Sequence, residues 1–440
     1  MLLKKLRPLF VFCVFAFAAA ARAEVAIEHW QTVTGAKVYF VHSAALPILD
    51  VQLDFAAGAI FDPPEKAGLA ASVGALLEMG AGAMTETEIS DHLADVGAQL
   101  ASGVEDDLAR VSLRTLTAPE KMGAALDVLE TILRQPHFAA DVFERERARG
   151  IAAIKDALTR PGPVAQRAFR AALYPGHPYG NAATPESLAA IRHADLQAFW
   201  RARYGAANAV VSIVGNLQRP DAEALAERLA AALPPADSAA LPALPAPPMR
   251  VKPGVKQRLP HPSSTQAHIY LGLPAISKGD PDFFPLLVGN YILGGGGFVS
   301  RLMTEVREKR GYAYSVYSYF SPMKQDGPFT IGLQTRKEQA DEALRVTRQV
   351  LEQFLADGPT AAELAAAKAY LAGSFPLNLD SNRKILSQIA NIGFYNLPLD
   401  YLAQYPSRVR AVTLPEIRAA FARHVAMDRL AEVIVGAEEE

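Results

Sequence analysis

GNYILGGGGFVSRLMTEVREKRGYAYSVYSYF, residues 289–320, carries the most specific pattern in the chain. The glycine run Gly294, Gly295, Gly296 and Gly297 reads as a turn that opens onto Ser300 and Arg301. Leu302, Val306 and Lys309 then fall at helical spacing, and Gly311 is a natural helix stop. From Tyr312 to Phe320 aromatic and β-branched residues alternate with small ones, which predicts a strand. Arg307 falls in the last helical turn, and Tyr314, seven residues later, falls just inside that strand. Such a corner can hold a guanidinium and a phenol on one side of a cleft, where both suit a peptide carbonyl and the charge that develops on it. The charge run Glu305, Arg307, Glu308, Lys309, Arg310 fits a solvated helix face, and spacing alone favours that reading. A phosphate loop needs Lys-Ser/Thr after its last glycine. Phe298-Val299-Ser300 stands there instead, which argues against nucleotide binding.

Outward from this stretch, one plan is used twice. Strand-like DVQLDFAAGAIFD (50–62) has a counterpart in QAHIYLGLPAI (266–276), each followed by an acidic, proline-bearing turn and a helix. The first half closes on VSIVG at Gly215 and the second on EVIVG at Gly436, each after a helix and a short turn. Between them LPPADSAALPALPAPPMRVKPG (233–254) has the proline and alanine content of a stiff, extended linker. The expected organisation is α+β: an N-terminal domain over 24–232 and a C-terminal domain over 255–440, each with helices on an antiparallel-rich sheet.

The chain has 440 residues, too many for one ordinary core. A net charge of −2 speaks against nucleic acid as a partner. Half the residues are hydrophobic, mostly alanine and leucine, as in a helix-rich globular protein. Residues 1–23 read as an export signal: Lys4, Lys5 and Arg7, an apolar run from Leu9 to Ala20, then Ala21-Arg22-Ala23 before Glu24. That run is too short for a permanent anchor, so the expectation is a periplasmic chain with no integral membrane segment after signal removal. The single cysteine, Cys13, lies inside the signal, which leaves the mature chain without disulfides.

LGGGGFVSRLMTEVREKRGYAYSVYS resembles the C-terminal half of the pitrilysin/insulinase-type metallopeptidases, in the processing-peptidase-like branch. The resemblance covers essentially the whole mature chain, and His177-Pro178-Tyr179-Gly180 is similar to a recurring family feature. It implies two homologous α+β domains that form one half of a clamshell. It also implies that Arg307 and Tyr314 reach the scissile carbonyl, with Gly294–Gly297 in the place of a peptide-receiving loop. Catalytic members carry H-x-x-E-H on a first-half helix, with a distal glutamate to complete the zinc ligands. Aligned on Gly68-Leu69-Ala70, this chain has Ala71, Gly74 and Ala75 at those positions and Ala153 at the distal one. No two of the nine histidines are three or four apart, so no helix presents a replacement pair.

The resemblance therefore implies a chain that binds no metal or other cofactor itself. It would pair with a homologous zinc-bearing subunit containing H-x-x-E-H and act on peptides. The alternative is an inert structural or peptide-binding scaffold of the same fold. Two other motifs carry less. Ser72 in Ala-x-Ser-x-Gly lacks the preceding strand of a nucleophile elbow, and Ser321-x-x-Lys324 lacks a Lys-Thr-Gly partner.

Overall fold

The structure is a computed structural model that describes residues 25–235, 244–248, 253–262 and 264–437. Residues 1–23, expected to be an export signal, and most of the expected linker lie outside the described residues. The first half builds a six-stranded sheet from β1 (Glu28–Gln31), β2 (Lys37–His42), β3 (Ile48–Phe55), β4 (Gln99–Val104), β5 (Ala109–Leu116) and β6 (Ala209–Gly215). Its spatial order is β1-β2-β6-β3-β5-β4, with β2 and β6 parallel and every other pair antiparallel. The second half builds five strands: β7 (Lys256–Leu259), β8 (Gln266–Ile276), β9 (Val316–Phe320), β10 (Gly327–Arg336) and β11 (Ala431–Val435). Their order is β7-β11-β8-β10-β9, again with one parallel pair, β7 and β11. With β1 set aside, the two sheets have the same topology strand for strand. The fragments matched in the sequence are β3 with β8, and β6 with β11.

Alternation in β3 sends Leu49, Val51, Leu53 and Phe55 into the first core, with Phe40, Val211 and Ile213 beside them. Asp50, Gln52 and Asp54 point to the other face, yet they too are buried. The cover on that face comes from the second half. Helix Asn382–Tyr395 lays Leu386, Ile389 and Ile392 on Tyr39, Val41, Val210 and Val214 of β2 and β6. The exchange is reciprocal. Helix Pro161–Leu173 of the first half lays Ala165, Phe169 and Leu173 on Tyr270, Val433 and Val435 of β8 and β11. Phe169 stacks on Tyr270 with ring centroids 5.3 Å apart. Gly272 permits this approach, since a Cβ there would stand 2.8 Å from the Phe169 ring. Each large apolar side chain buried this way contributes about 2 kcal/mol, so neither half is complete without the other.

Asp107, in the turn between β4 and β5, ties the seam. Its carboxylate accepts bonds from the Tyr179 and Tyr395 hydroxyls and from the Lys324 amide. Tyr179 belongs to the His177–Gly180 turn, where His177 Nδ1 accepts from the Tyr179 amide and Nε2 bonds Gln325. The histidine is thus spent on a turn and a cross-domain contact. Of the linker, the described stretch 244–248 is irregular, and its Pro245 carbonyl accepts from Gln325 Nε2. Among the described residues no helix is long and apolar enough to cross a membrane.

Candidate functional site

The positions where the resemblance implies zinc ligands lie on helix Leu69–Leu76. Gly68, at φ 103°, swings the chain into it, and Asp62 accepts bonds from the Gly68 and Ala70 amides at 2.8 Å each. Burial outweighs these donors and pushes the Asp62 carboxyl up to about 6. Leu69, Ala70, Val73 and Leu76 enter the core, which leaves Ala71 and Ala75 exposed on the opposite face. Gly74 faces β4. A Cβ there would stand 2.6 Å from Val104 Cγ2, and Ser102 Oγ donates to its carbonyl at 3.0 Å. The base position is therefore closed by packing as well as lacking its side chain. Ala153 is exposed on helix Ala140–Ala157, which packs beside helix Leu69–Leu76. These residues do not fit a zinc ion: methyl groups stand at the three ligand positions and a hydrogen at the base position. Ser72 Oγ donates to the Gly68 carbonyl at 2.8 Å, the ordinary back-bond of a serine within a helix.

Ala71 opens onto a cavity of about 870 Å³ between the halves, bordered also by Asp54, Glu105, Arg110, Lys278 and Tyr395. Lys278 donates to Asn391 Oδ1 at 3.0 Å, and its ammonium lies 5.0 Å from the centre of the Tyr395 ring. Burial lowers its pKa. Among the described residues one other cluster has the residue types of a metal site, Asp280, Asp282 and His424. Its donors are already engaged. Arg423 makes two bonds to the Asp282 carboxylate, at 2.6 and 2.7 Å, and His424 Nδ1 bonds the Ala275 carbonyl.

The stretch 289–320 differs in detail from its sequence reading. The helix that starts at Phe283 widens into a π turn over Tyr291–Gly295, so Gly294 and Gly295 are helical rather than part of a turn. Close packing explains three of the glycines. A Cβ on Gly294 would meet Ser318 Oγ at 2.4 Å, one on Gly295 would meet Asn290 at 2.8 Å, and one on Gly296 the Tyr291 carbonyl at 2.7 Å. Gly297 differs, with φ +60° and open space around its Cβ direction. The segment Met303–Glu308 is also π-helical, and β9 begins only at Val316. Tyr314 therefore sits in a bend two residues before the strand, not inside it. Ladder bonding to β10 starts at Val316, which leaves Tyr314 free of the sheet.

That placement brings Arg307 and Tyr314 together. The Arg307 guanidinium lies 4.9 Å from the Tyr314 ring centre and 4.7 Å from that of Phe298, which follows the glycine run. Tyr314 is 84% exposed and Phe298 63% exposed. Of the charges around it, Glu305 binds Lys309 and Arg310 and Arg301 makes a forked contact with Glu363, while Glu308 makes no ion pair among the described residues. Arg307 makes no ion pair among the described residues. It is a half-buried guanidinium held between two rings with its N–H edges free, which a solvated helix face does not require. Alongside, a groove of about 530 Å³ runs between the glycine run and β9, and Phe283 borders both this groove and the central cavity. Phe298 and Lys278 were not singled out from the sequence. Phe298 could have been, as an apolar residue next to a tight glycine run.

The sequence profile described as insulinase (peptidase family M16) matches residues 37–185, and that of the peptidase M16 inactive domain matches residues 190–371. An uncharacterized zinc protease of Mycobacterium tuberculosis is 30% identical over 319 residues, 71% of this chain and 71% of its own. The Helicobacter pylori protein named non-peptidase homolog YmxG is 25% identical over 418 residues, 93% of this chain and 94% of its own. The crystal structure of a peptidase M16 inactive domain from Pseudomonas fluorescens matches at a TM-score of 0.89 and 37% identity, covering 94% of this chain and 98% of that one. The periplasmic protease PqqL of Escherichia coli shares the fold at a TM-score of 0.80 and 17% identity, over 94% of this chain but 46% of its own. With a duplicated α+β fold, a helix lacking zinc donors and matches at both the N- and C-terminal family profiles, this chain belongs to peptidase family M16, the insulinase family, as an inactive-type member.

Proposed function

We propose that this chain is the non-zinc subunit of a heteromeric zinc metalloendopeptidase, and that it supplies Arg307 and Tyr314 to the zinc site of a homologous partner. The observation that carries the reading is a contrast within one chain. Helix Leu69–Leu76 has lost every donor and packs Val104 into the base position, while Arg307 is kept unpaired between two exposed rings. Supporting it, the fold spans about half of a longer family protease, as one shell of a two-shell chamber would.

In this arrangement the H-x-x-E-H residues of the partner would hold zinc, which would supply an activated water. Arg307 donates its forked N–H edge to a substrate carbonyl, and the Tyr314 hydroxyl donates to the oxyanion of the tetrahedral intermediate. The groove beside Gly294–Gly297 receives the peptide. The leader over residues 1–23 supports export to the periplasm with a mature terminus at Glu24, which intact mass would read directly.

The test is to purify the tagged chain from its native cells with any H-x-x-E-H homologue that accompanies it, then assay a quenched peptide. Tyr314→Phe should leave the complex intact by size exclusion and lower turnover about a hundredfold. Arg307→Ala should also raise the Michaelis constant. Wild-type cleavage by both assembled variants, or no zinc-bearing partner at all, would replace this reading with that of an inert scaffold.

A further inference from the structure

A second pocket lies on the seam between the halves, at the end of helix His193–Arg203. It encloses about 260 Å³, and among the described residues three cations border it: Lys37 and Arg203 from the first half, Lys324 from the second. Arg203 is only 8% exposed. One face of its guanidinium lies on the Phe61 ring, with Cζ 3.7 Å from the centroid. Its side-chain nitrogens make no hydrogen bond or ion pair with any described residue. Burial lowers its pKa to about 10, so the group remains charged at neutral pH.

Among the described residues one carboxylate borders this pocket, Asp107, and it is already occupied by two tyrosine hydroxyls and the Lys324 amide. Lys37 spends one proton on Asn396 Oδ1 at 2.7 Å, and the Lys324 ammonium stands 5.8 Å from the centre of the Phe394 ring. A buried cation without a counter-charge is costly, and a Leu or Met at this position would fill the same space without that cost. Stacking on Phe61 covers one face of the guanidinium but satisfies none of its five N–H donors.

We propose that this pocket binds a small oxyanion, a carboxylate or phosphate group, with Arg203 as its inner ligand and Lys37 and Lys324 at its mouth. The volume admits such a group with a few carbons against Phe61, Leu244 and Phe394, but no folded partner. Because the cations come from both halves, the bound anion bridges the seam and stabilises the closed pair of domains. The site is independent of Arg307 and Tyr314, so it stands or falls apart from the peptidase reading.

The experiment follows thermal unfolding of the full chain titrated with sodium phosphate, with trialanine, and with trialanine amide, each at an ionic strength matched with sodium chloride. Phosphate or the free-acid peptide should raise Tm saturably, and the amide should not. A response to phosphate alone identifies a free oxyanion, and a response to trialanine alone identifies a peptide C-terminus. Arg203→Met should abolish the shift. Lys324→Ala changes only an exposed side chain and should weaken the apparent affinity severalfold, which keeps the test intact if Arg203→Met does not fold. If neither anion moves Tm beyond the chloride control, or Lys324→Ala responds as the wild type does, the proposal is wrong.

Discussion

At the scale of single residues, partners decide what a charge does. Glu305 pairs with both Lys309 and Arg310 near the surface, an arrangement worth little to stability. Arg307, two residues from Glu305, has no carboxylate partner among the described residues and lies instead beside two rings. Asp62 shows the opposite situation, a carboxylate drawn inward to cap a helix. Its folded-state value of about 6 lies above the ordinary 3.8, so the folded protein binds this proton more tightly than the unfolded chain does. The resulting stabilisation is complete below about pH 4 and is lost as pH rises through about 6. Asp62→Asn removes the titration. The stability difference between wild type and variant, measured by urea unfolding, should therefore shift against the wild type by about 3 kcal/mol between about pH 3.5 and pH 7. A pH-independent difference would contradict it.

At the scale of elements, helix Leu69–Leu76 is packed closely against β4 at Gly74. Gly to Ala inside a helix ordinarily stabilises by about 1 kcal/mol. At Gly74 the added methyl meets Val104, so Gly74→Ala should destabilise by about 1–3 kcal/mol instead. Val104→Ala should return the expected gain, and a double-mutant cycle should give a coupling of at least about 1 kcal/mol. The same geometry governs any attempt to rebuild the metal site. A chain carrying Ala71→His, Gly74→Glu, Ala75→His and Ala153→Glu should hold about one zinc per chain after dialysis only when Val104→Ala is added. Metal analysis of both versions decides this, and zinc retained without the Val104 change would show that β4 yields to the new side chain.

At the scale of the whole molecule, the two halves are folding partners rather than beads on a linker. A fragment ending at residue 235 lacks Leu386, Ile389 and Ile392, and so exposes Tyr39, Val41, Val210 and Val214 together. Expressed alone, it should be insoluble or bind an apolar dye; co-expression with the remainder of the chain should restore a soluble complex. A soluble, dye-negative fragment would mean that the exchanged helix is dispensable. Asp107→Ala leaves two hydroxyls and one amide without their acceptor, at a cost of about 2–4 kcal/mol. The loss should appear as a lower denaturation midpoint in urea.

The sequence by itself determined what local pattern can encode. Repetition of β3 in β8 and of β6 in β11 disclosed two like halves, because periodicity and end motifs survive in any context. The absence of donors at Ala71, Gly74, Ala75 and Ala153 was equally legible, since no fold gives a methyl group a lone pair. Tertiary structure alone decided which surface buries which. Asp50, Gln52 and Asp54 alternate like the wet face of a strand, yet a helix more than 300 residues away covers that side of the sheet. Gly294 and Gly295 look like a turn but are helical, and glycine stands there because Ser318 and Asn290 leave no room for a Cβ. Arg203 reads as one more charge in FWRAR and becomes a buried, unpaired guanidinium only when Phe61 closes over it. Spacing along the chain sets the direction of a side chain; what it meets there is settled by residues far away in sequence.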